Sequence, residues 1–154
     1  MRYIIINADD FGRHAEINRA VEQGLVHGCL RSATVMPGGA AFAGAIDIAR
    51  RHEALGLGVH FTLVDGNPIL PPSEIPSLVA EDGRFLSDHT ALLRRYLKGG
   101  VNLEEVRREL AAQLRKVDMC ASWIFACLPQ IDSLPTERRP CDFFLFYLSL
   151  LIII

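Results

Sequence analysis

With 154 residues and a formal charge of -2, the chain is the size of one domain with its own core, and it has no basic excess to recruit nucleic acid or an anionic membrane. A small molecule is the expected partner. The amino terminus lacks the apolar stretch and small-residue cleavage site of a secretory signal, which predicts a cytoplasmic protein. Cys29, Cys120, Cys127 and Cys141 form no C-x-x-C pair, so reduced, mostly buried thiols are expected in place of zinc or disulfides.

Residues 1–117 alternate short apolar runs with helical periodicity, the pattern of β/α units on a parallel sheet. Residues 3–8 read as the first strand. Residues 14–27 read as a helix with Ile17, Val21, Gly24 and Leu25 on one stripe and Gly28 as its stop. A second strand is predicted over 32–36, a small-residue helix burying Phe42, Ile46 and Ala49 over 40–52, and a third strand over 55–64. The segment DGNPILPPSEIPSLVAEDGRF then reads as a long loop of the kind that forms a lid or binding surface. Asn102 opens a helix carrying Leu103, Val106, Leu110, Leu114 and Val117 on one face, with Glu105 placed to complete a capping box. Beyond Lys116 the alternation is lost. Residues 143–154 are apolar but shorter than the roughly 17–25 residues of a membrane span, and read as a buried or aggregation-prone strand.

Asp9 and Asp10 follow the first apolar run, and parallel α/β folds place ligands beyond the carboxyl ends of their strands. Adjacent strand residues face opposite ways, so both reach one site only if the chain turns there, a freedom Gly12 offers. Two close carboxylates repel unless a cation or shared proton relieves them; a divalent metal with one Asp as ligand and one as base is one solution, a helix cap beside a solvated Asp the other. In the third strand, period two puts Leu57, Val59, Phe61 and Leu63 on one face and Gly58, His60, Thr62 and Val64 on the other. His60 is either a hydrogen-bonded core residue or a metal ligand on the carboxylates' edge of the sheet. His14 stands just past the acidic pair; His27, His52 and His89 read as helix-end or loop residues. No GxxxxGK[ST], GxGxxG or GxSxG motif occurs. A phosphoacceptor domain also carries an acidic pair after its first strand, but it needs an Asp where His60 stands.

With NADDFG and GVHFTL at these two positions, the chain resembles the YdjC/ChbG family of carbohydrate deacetylases. The segment LVDGNPILPPSEIPSLVAEDGRF is most similar to the family's hopanoid-biosynthesis branch, HpnK. The resemblance covers about residues 1–117 and implies the amino-terminal part of an incomplete, deformed (β/α) barrel of the polysaccharide-deacetylase-like kind. It further implies a divalent metal ion, Mg2+ or Zn2+, used to hydrolyse N-acetyl groups of amino sugars. Carried over by residue, Asp9 is the general base and Asp10 and His60 are metal ligands, with Phe11, His14 and Thr62 expected at the substrate. The expected partner is an acetylated amino sugar, with no nucleic acid and no membrane insertion; a homodimer is compatible with the sequence.

The family's next motif, an Asp-x-His-x-His type segment, supplies a further metal-binding histidine, and here no histidine follows His89. The chain is also about a hundred residues shorter than the ~250 of a complete barrel. Residues 118–154 are therefore expected to be an atypical tail produced by a frameshift, rearrangement or early end, marked by a histidine-rich segment in another reading frame. The alternative to a deacetylase is a noncatalytic remnant that binds sugar or a partner.

Overall fold

The computed structural model describes residues 6–120; the expectations for residues 3–5 and for the tail over 121–154 lie outside the described residues. The described residues form β1 (Asn7–Phe11), α1 (Ala15–His27), β2 (Ser32–Val35), α2 (Phe42–Arg51), β3 (Gly56–Val59), α3 (His89–Leu97) and α4 (Leu103–Cys120). The three strands form one parallel sheet in the order β1-β2-β3, as the β/α alternation predicts. No helix among the described residues is long and apolar enough to cross a membrane.

Period-two alternation gives the sheet two unlike faces. Ala33, Val35, Leu57 and Val59 are buried, as are Phe42, Ala45, Ile46 and Ala49 of α2 and Val21 of α1. On the other face, Asn7 pairs with Ser32 and Thr34 with Gly58, a row of polar or absent side chains. Among the described residues the first strand runs past its expected end at Ala8. The apolar run ends at Ile6, yet backbone pairing continues through both aspartates to the fully buried Phe11. Conversely, β3 stops at Val59, although its alternation runs on to Val64. The His60 amide makes one last bond to Val35 O, at 2.8 Å, as the chain leaves the sheet.

The long loop is folded. Ile75, Leu78, Val79 and Phe85 form a small core with Val106 of α4, flanked by Leu63, Leu70, Leu92, Val101 and Leu110. At roughly 1.5–3 kcal/mol for each large apolar side chain buried, this cluster favours a fixed cap over a loose lid. Its end is a tight hairpin in which Ala80 donates to Arg84 O, closed by Gly83 at φ +78°. The helix α3 that follows has no fully buried residue, resting Leu92 against this cluster, and the sequence pattern missed it. It is started by Asp88, whose side chain accepts the Ala91 amide at 2.9 Å. That bond, reinforced by the Ser87 hydroxyl, holds the Asp88 carboxyl below its ordinary value. The cap's contribution is thus present above the ordinary Asp range and lost as pH falls through the lowered value.

Helix α4 departs from its expected packing in an informative way. Asn102 does cap it, accepting the Glu104 amide at 2.9 Å. Glu105, however, does not close a capping box: it is buried and accepts the Ser77 amide at 2.8 Å, while Ser77 Oγ takes the Asn102 amide at 3.0 Å. Leu103, placed on the apolar face by its spacing, is exposed. Glu105, Glu109 and Gln113 instead form a buried polar stripe at i, i+4, i+8. Glu109 accepts the amides of Ile69 and Leu70, each at 2.9 Å, and Gln113 Nε2 at 2.8 Å. Gln113 clamps Thr62 twice, accepting its amide at 3.0 Å and donating to its carbonyl at 2.7 Å. Loop carbonyls go to arginines, those of Ser77 and Val79 to Arg95 and that of Glu74 to Arg108. The backbone of an irregular segment is thus satisfied by side chains where no sheet is available.

Replacing Glu109 by Ala would orphan two part-buried loop amides and remove one of the two acceptors of Gln113 Nε2. Glu109→Ala is expected to lower the free energy of unfolding by about 3 kcal/mol and Glu109→Gln by roughly 1 kcal/mol, read from urea denaturation. Losses below about 0.5 kcal/mol in both would contradict the stripe's role.

Candidate active site

The acidic pair sits on a β-bulge. Ala8 is registered with Ala33 and Phe11 with Val35, so three steps along β1 match two along β2. Asp10 takes up the extra residue in the left-handed region, at φ +59°. Aspartate is among the few residues that enter this region readily, though still at a cost of about 1 kcal/mol. Through the bulge, Phe11 takes the buried place that alternation would have given Asp10. The turn that brings both carboxylates to one edge is therefore made at Asp10 itself, with Gly12, at φ +93°, continuing it. Asn18, buried in α1, fixes the exit by accepting the Gly12 amide at 2.8 Å and donating to Ala41 O at 2.9 Å. Gly39 lies so close to Gly12 O that any Cβ there would collide with it.

Around the bulge a polar cluster spans all three strands. Asp9 Oδ1 accepts from Asn7 Nδ2 and from Thr34 Oγ1, both at 2.7 Å. Thr34 Oγ1 also lies 3.4 Å from His60 Nδ1, and the far nitrogen of that ring, Nε2, stands 3.6 Å from Asp10 Oδ1. Arg13 lies 3.5 Å from Asp10 Oδ2 and 2.6 Å from Asp65 Oδ2. Asp65 also has positive φ, +49°, so one guanidinium spans the two left-handed aspartates. These ion pairs are partly exposed and add little to stability; they set the orientation of Asp10.

The structure thus brings Asp9, Asp10 and His60 together, as their positions at strand ends predict. Thr62 is two residues further on, its hydroxyl donating to His60 O at 3.3 Å. His14 is exposed at the residue before α1, and its side chain makes no capping bond. Phe11 is fully buried in the core and offers no surface to a substrate. Sequence reasoning missed Asn7, Arg13 and Thr34; the period-two count applied to the third strand, extended to β2, would have put Thr34 beside His60. The thiols differ from expectation, Cys29 being exposed and Cys120 half-buried, both free; Cys127 and Cys141 lie outside the described residues. No group of three or more His, Cys, Asp or Glu side chains able to hold a metal occurs among the described residues. A cavity of about 400 Å³ lies at the other edge of the sheet, lined by Leu25, Arg31, Arg51, His52 and Leu55 among others. There Glu22 engages Arg51 at 2.6 Å, which holds the Glu22 carboxyl below its ordinary value.

Residues 3–120 match the family described as YdjC-like protein. A carbohydrate deacetylase of Geobacillus stearothermophilus is 37% identical over 115 residues, which cover 75% of this chain and 43% of that protein. A carbohydrate deacetylase of Listeria monocytogenes serotype 4a is 36% identical over 114 residues, covering 74% of this chain and 45% of its own. A crystal structure from Enterococcus faecalis V583, named for cellobiose-phosphate cleavage, aligns with a TM-score of 0.67 at 35% identity, over 76% of this chain and 44% of the other. The chain therefore spans somewhat less than half the length of these relatives.

The bulge makes a prediction independent of chemistry. Asp10→Val, which puts a β-branched residue in the left-handed region, is expected to destabilise the chain by about 2 kcal/mol more than Asp10→Gly does. Chemical denaturation compares the two; equal stabilities would mean that Asp10 is not held at positive φ.

Proposed function

Since the chain belongs to the YdjC-like family, we propose that it carries part of the active site of a metal-dependent carbohydrate deacetylase, which hydrolyses N-acetyl groups from amino sugars. The single observation that supports this reading best is the convergence of Asp9, Asp10 and His60 from two strands onto one sheet edge. In the proposal, the parallel sheet is the start of a deformed (β/α) barrel in a cytoplasmic enzyme. The resemblance of residues 63–85 to the hopanoid-associated branch supports, within this proposal, a substrate of that kind.

In this reading Asp10 and His60 are two ligands of a divalent ion, Mg2+ or Zn2+. Their donor atoms are 3.6 Å apart, close to the roughly 3.4 Å between two ligand atoms that each sit about 2.1 Å from one tetrahedral ion. Carboxylate oxygen and imidazole nitrogen are donors that Zn2+ accepts, and the carboxylate suits Mg2+ as well. Such an ion supplies Lewis acidity toward the acetamide carbonyl and toward water. Asp9 has Oδ1 committed to Asn7 and Thr34, and among the described residues Oδ2 carries no hydrogen bond. Oδ2 is therefore the atom that accepts a proton from the attacking water. Arg13 and Asp65 hold Asp10 in place. Thr62 and His14 flank the site on the loop after His60 and the turn after the bulge, where a sugar would approach.

A second reading, a module that binds sugar without cleaving it, is favoured by one observation: the described residues supply two ligand donors where catalytic zinc commonly has three. Calorimetric titration of the purified chain with Zn2+ or Mn2+, paired with acetate release from N,N'-diacetylchitobiose, separates the readings. A deacetylase is expected to bind metal saturably, to lose at least about tenfold in affinity in His60→Ala and Asp10→Ala, and to lose acetate release by about 100-fold or more in Asp9→Asn. Saturable sugar binding without acetate release supports the second reading. Acetate release untouched by all three substitutions would refute the first.

A further inference from the structure

We propose that Thr34 is a positioning residue: it fixes His60 in the tautomer protonated on Nδ1 and so leaves Nε2 as the bare, ligating nitrogen. The consequence for metal binding rests on the proposed function above; the tautomer assignment does not.

The argument turns on one proton. A Thr hydroxyl has a single hydrogen to donate and two lone pairs to accept with. At 2.7 Å from Asp9 Oδ1, Thr34 Oγ1 must aim that hydrogen at the carboxylate, because two oxygens with no hydrogen between them would repel at that distance. Only lone pairs then remain on the side of Thr34 that faces His60 Nδ1, 3.4 Å away. A protonated Nδ1 is attracted to them, and an unprotonated Nδ1 sets lone pair against lone pair. At the far nitrogen Nε2 is 3.6 Å from Asp10 Oδ1, outside hydrogen-bond range, and Arg13, 3.5 Å from Asp10 Oδ2, offsets that carboxylate's pull on a proton at Nε2, so the nearer contact to Thr34 decides.

Backbone packing keeps Thr34 in this orientation. Its register partner across β2 and β3 is Gly58, where a Cβ would stand 3.2 Å from Thr34 Cγ2. With glycine there, the Thr34 methyl lies over β3 and its hydroxyl faces Asp9 and His60. A chain from Asn7 through Asp9 and Thr34 to His60 thus runs across the sheet edge, and each member fixes the donor of the next. A ring nitrogen bonded in this way turns the opposite nitrogen toward a ligand and raises its basicity.

The test is 15N NMR of histidine-labelled, metal-free full chain at pH 8, with the His60 signals assigned by their loss in His60→Gln. The expected wild-type spectrum has an unprotonated Nε2 and a protonated Nδ1 on His60. In Thr34→Val, which keeps the shape and β propensity but lacks the hydroxyl, the two tautomers should mix or invert, and Thr34→Ser should restore the wild-type pattern. Zn2+ affinity should fall about 10- to 100-fold in Thr34→Val and recover in Thr34→Ser. A wild-type His60 protonated on Nε2, or a His60 spectrum unchanged in a folded Thr34→Val variant, overturns the proposal. If the tautomer responds as expected but the wild-type chain binds no metal, the positioning role stands and the deacetylase reading falls.

Discussion

The contact on which the rest of the structure depends is the buried polar stripe of α4. Glu105, Glu109 and Gln113 reach out of a helix into a region with no sheet to receive backbone groups, and there they bond the amides of Ser77, Ile69, Leu70 and Thr62. A carboxylate as deeply buried as Glu109 would be strongly destabilising if unpaired; its three N-H donors compensate. Through Gln113 the stripe also holds Thr62, two residues past His60, so the helix that folds the cap also anchors the chain where it leaves β3. Lys116, one turn further on, extends the grip by donating to Pro37 O at 2.8 Å, just past β2, with its charge over the Phe42 ring. The ends of β2 and β3, two of the three strands that carry the polar cluster, are thereby tied to one rigid element.

Against that support, the bulge at Asp10 is a local departure whose cost the surrounding bonds overcome. The positive φ would be unfavourable in an isolated strand. Here Phe11 is locked by full burial and by the Met36 amide on its carbonyl at 2.7 Å, and Gly12 by Asn18. The result is a pair of adjacent carboxylates with different surroundings: Asp9 bonded within the sheet face, Asp10 turned toward His60 and Arg13. Such a division allows one carboxylate to act as ligand while the other accepts a proton.

The sequence was most legible where hydrophobicity and backbone pairing agree. The core face of β3 and the helices α1 and α2 follow from period counting, and the shared edge of Asp9, Asp10 and His60 follows from the β/α alternation that sets strand ends on one side, whereas the bulge that turns Asp10 does not. It was least legible where polar side chains do structural work. The first strand reads as ending at Ala8 because two aspartates follow, yet it continues to Phe11. Glu105, Glu109 and Gln113 look like a solvated helix face, since spacing cannot tell solvent from the unpaired amides of a loop 28 to 51 residues away. Glu105 does stand three residues after an Asn cap, but Ser77 takes both partners of its expected bond to the Asn102 amide. Thr34 had no signal of its own; its meaning comes from the parallel register that sets it beside Gly58 and next to His60.

The central claim is that these strand ends form one divalent-cation site. Paramagnetic broadening by substoichiometric Mn2+ in the amide NMR spectrum of the full chain tests it most directly, because it maps the ion's position without requiring turnover. The account predicts selective loss of the signals of Asp9, Asp10, Phe11 and Gly12 together with those of His60 and Phe61, while amides near Asp47 and Glu104, on exposed helix faces, persist. Broadening centred on those surface acids, with the strand-end amides untouched, would contradict it.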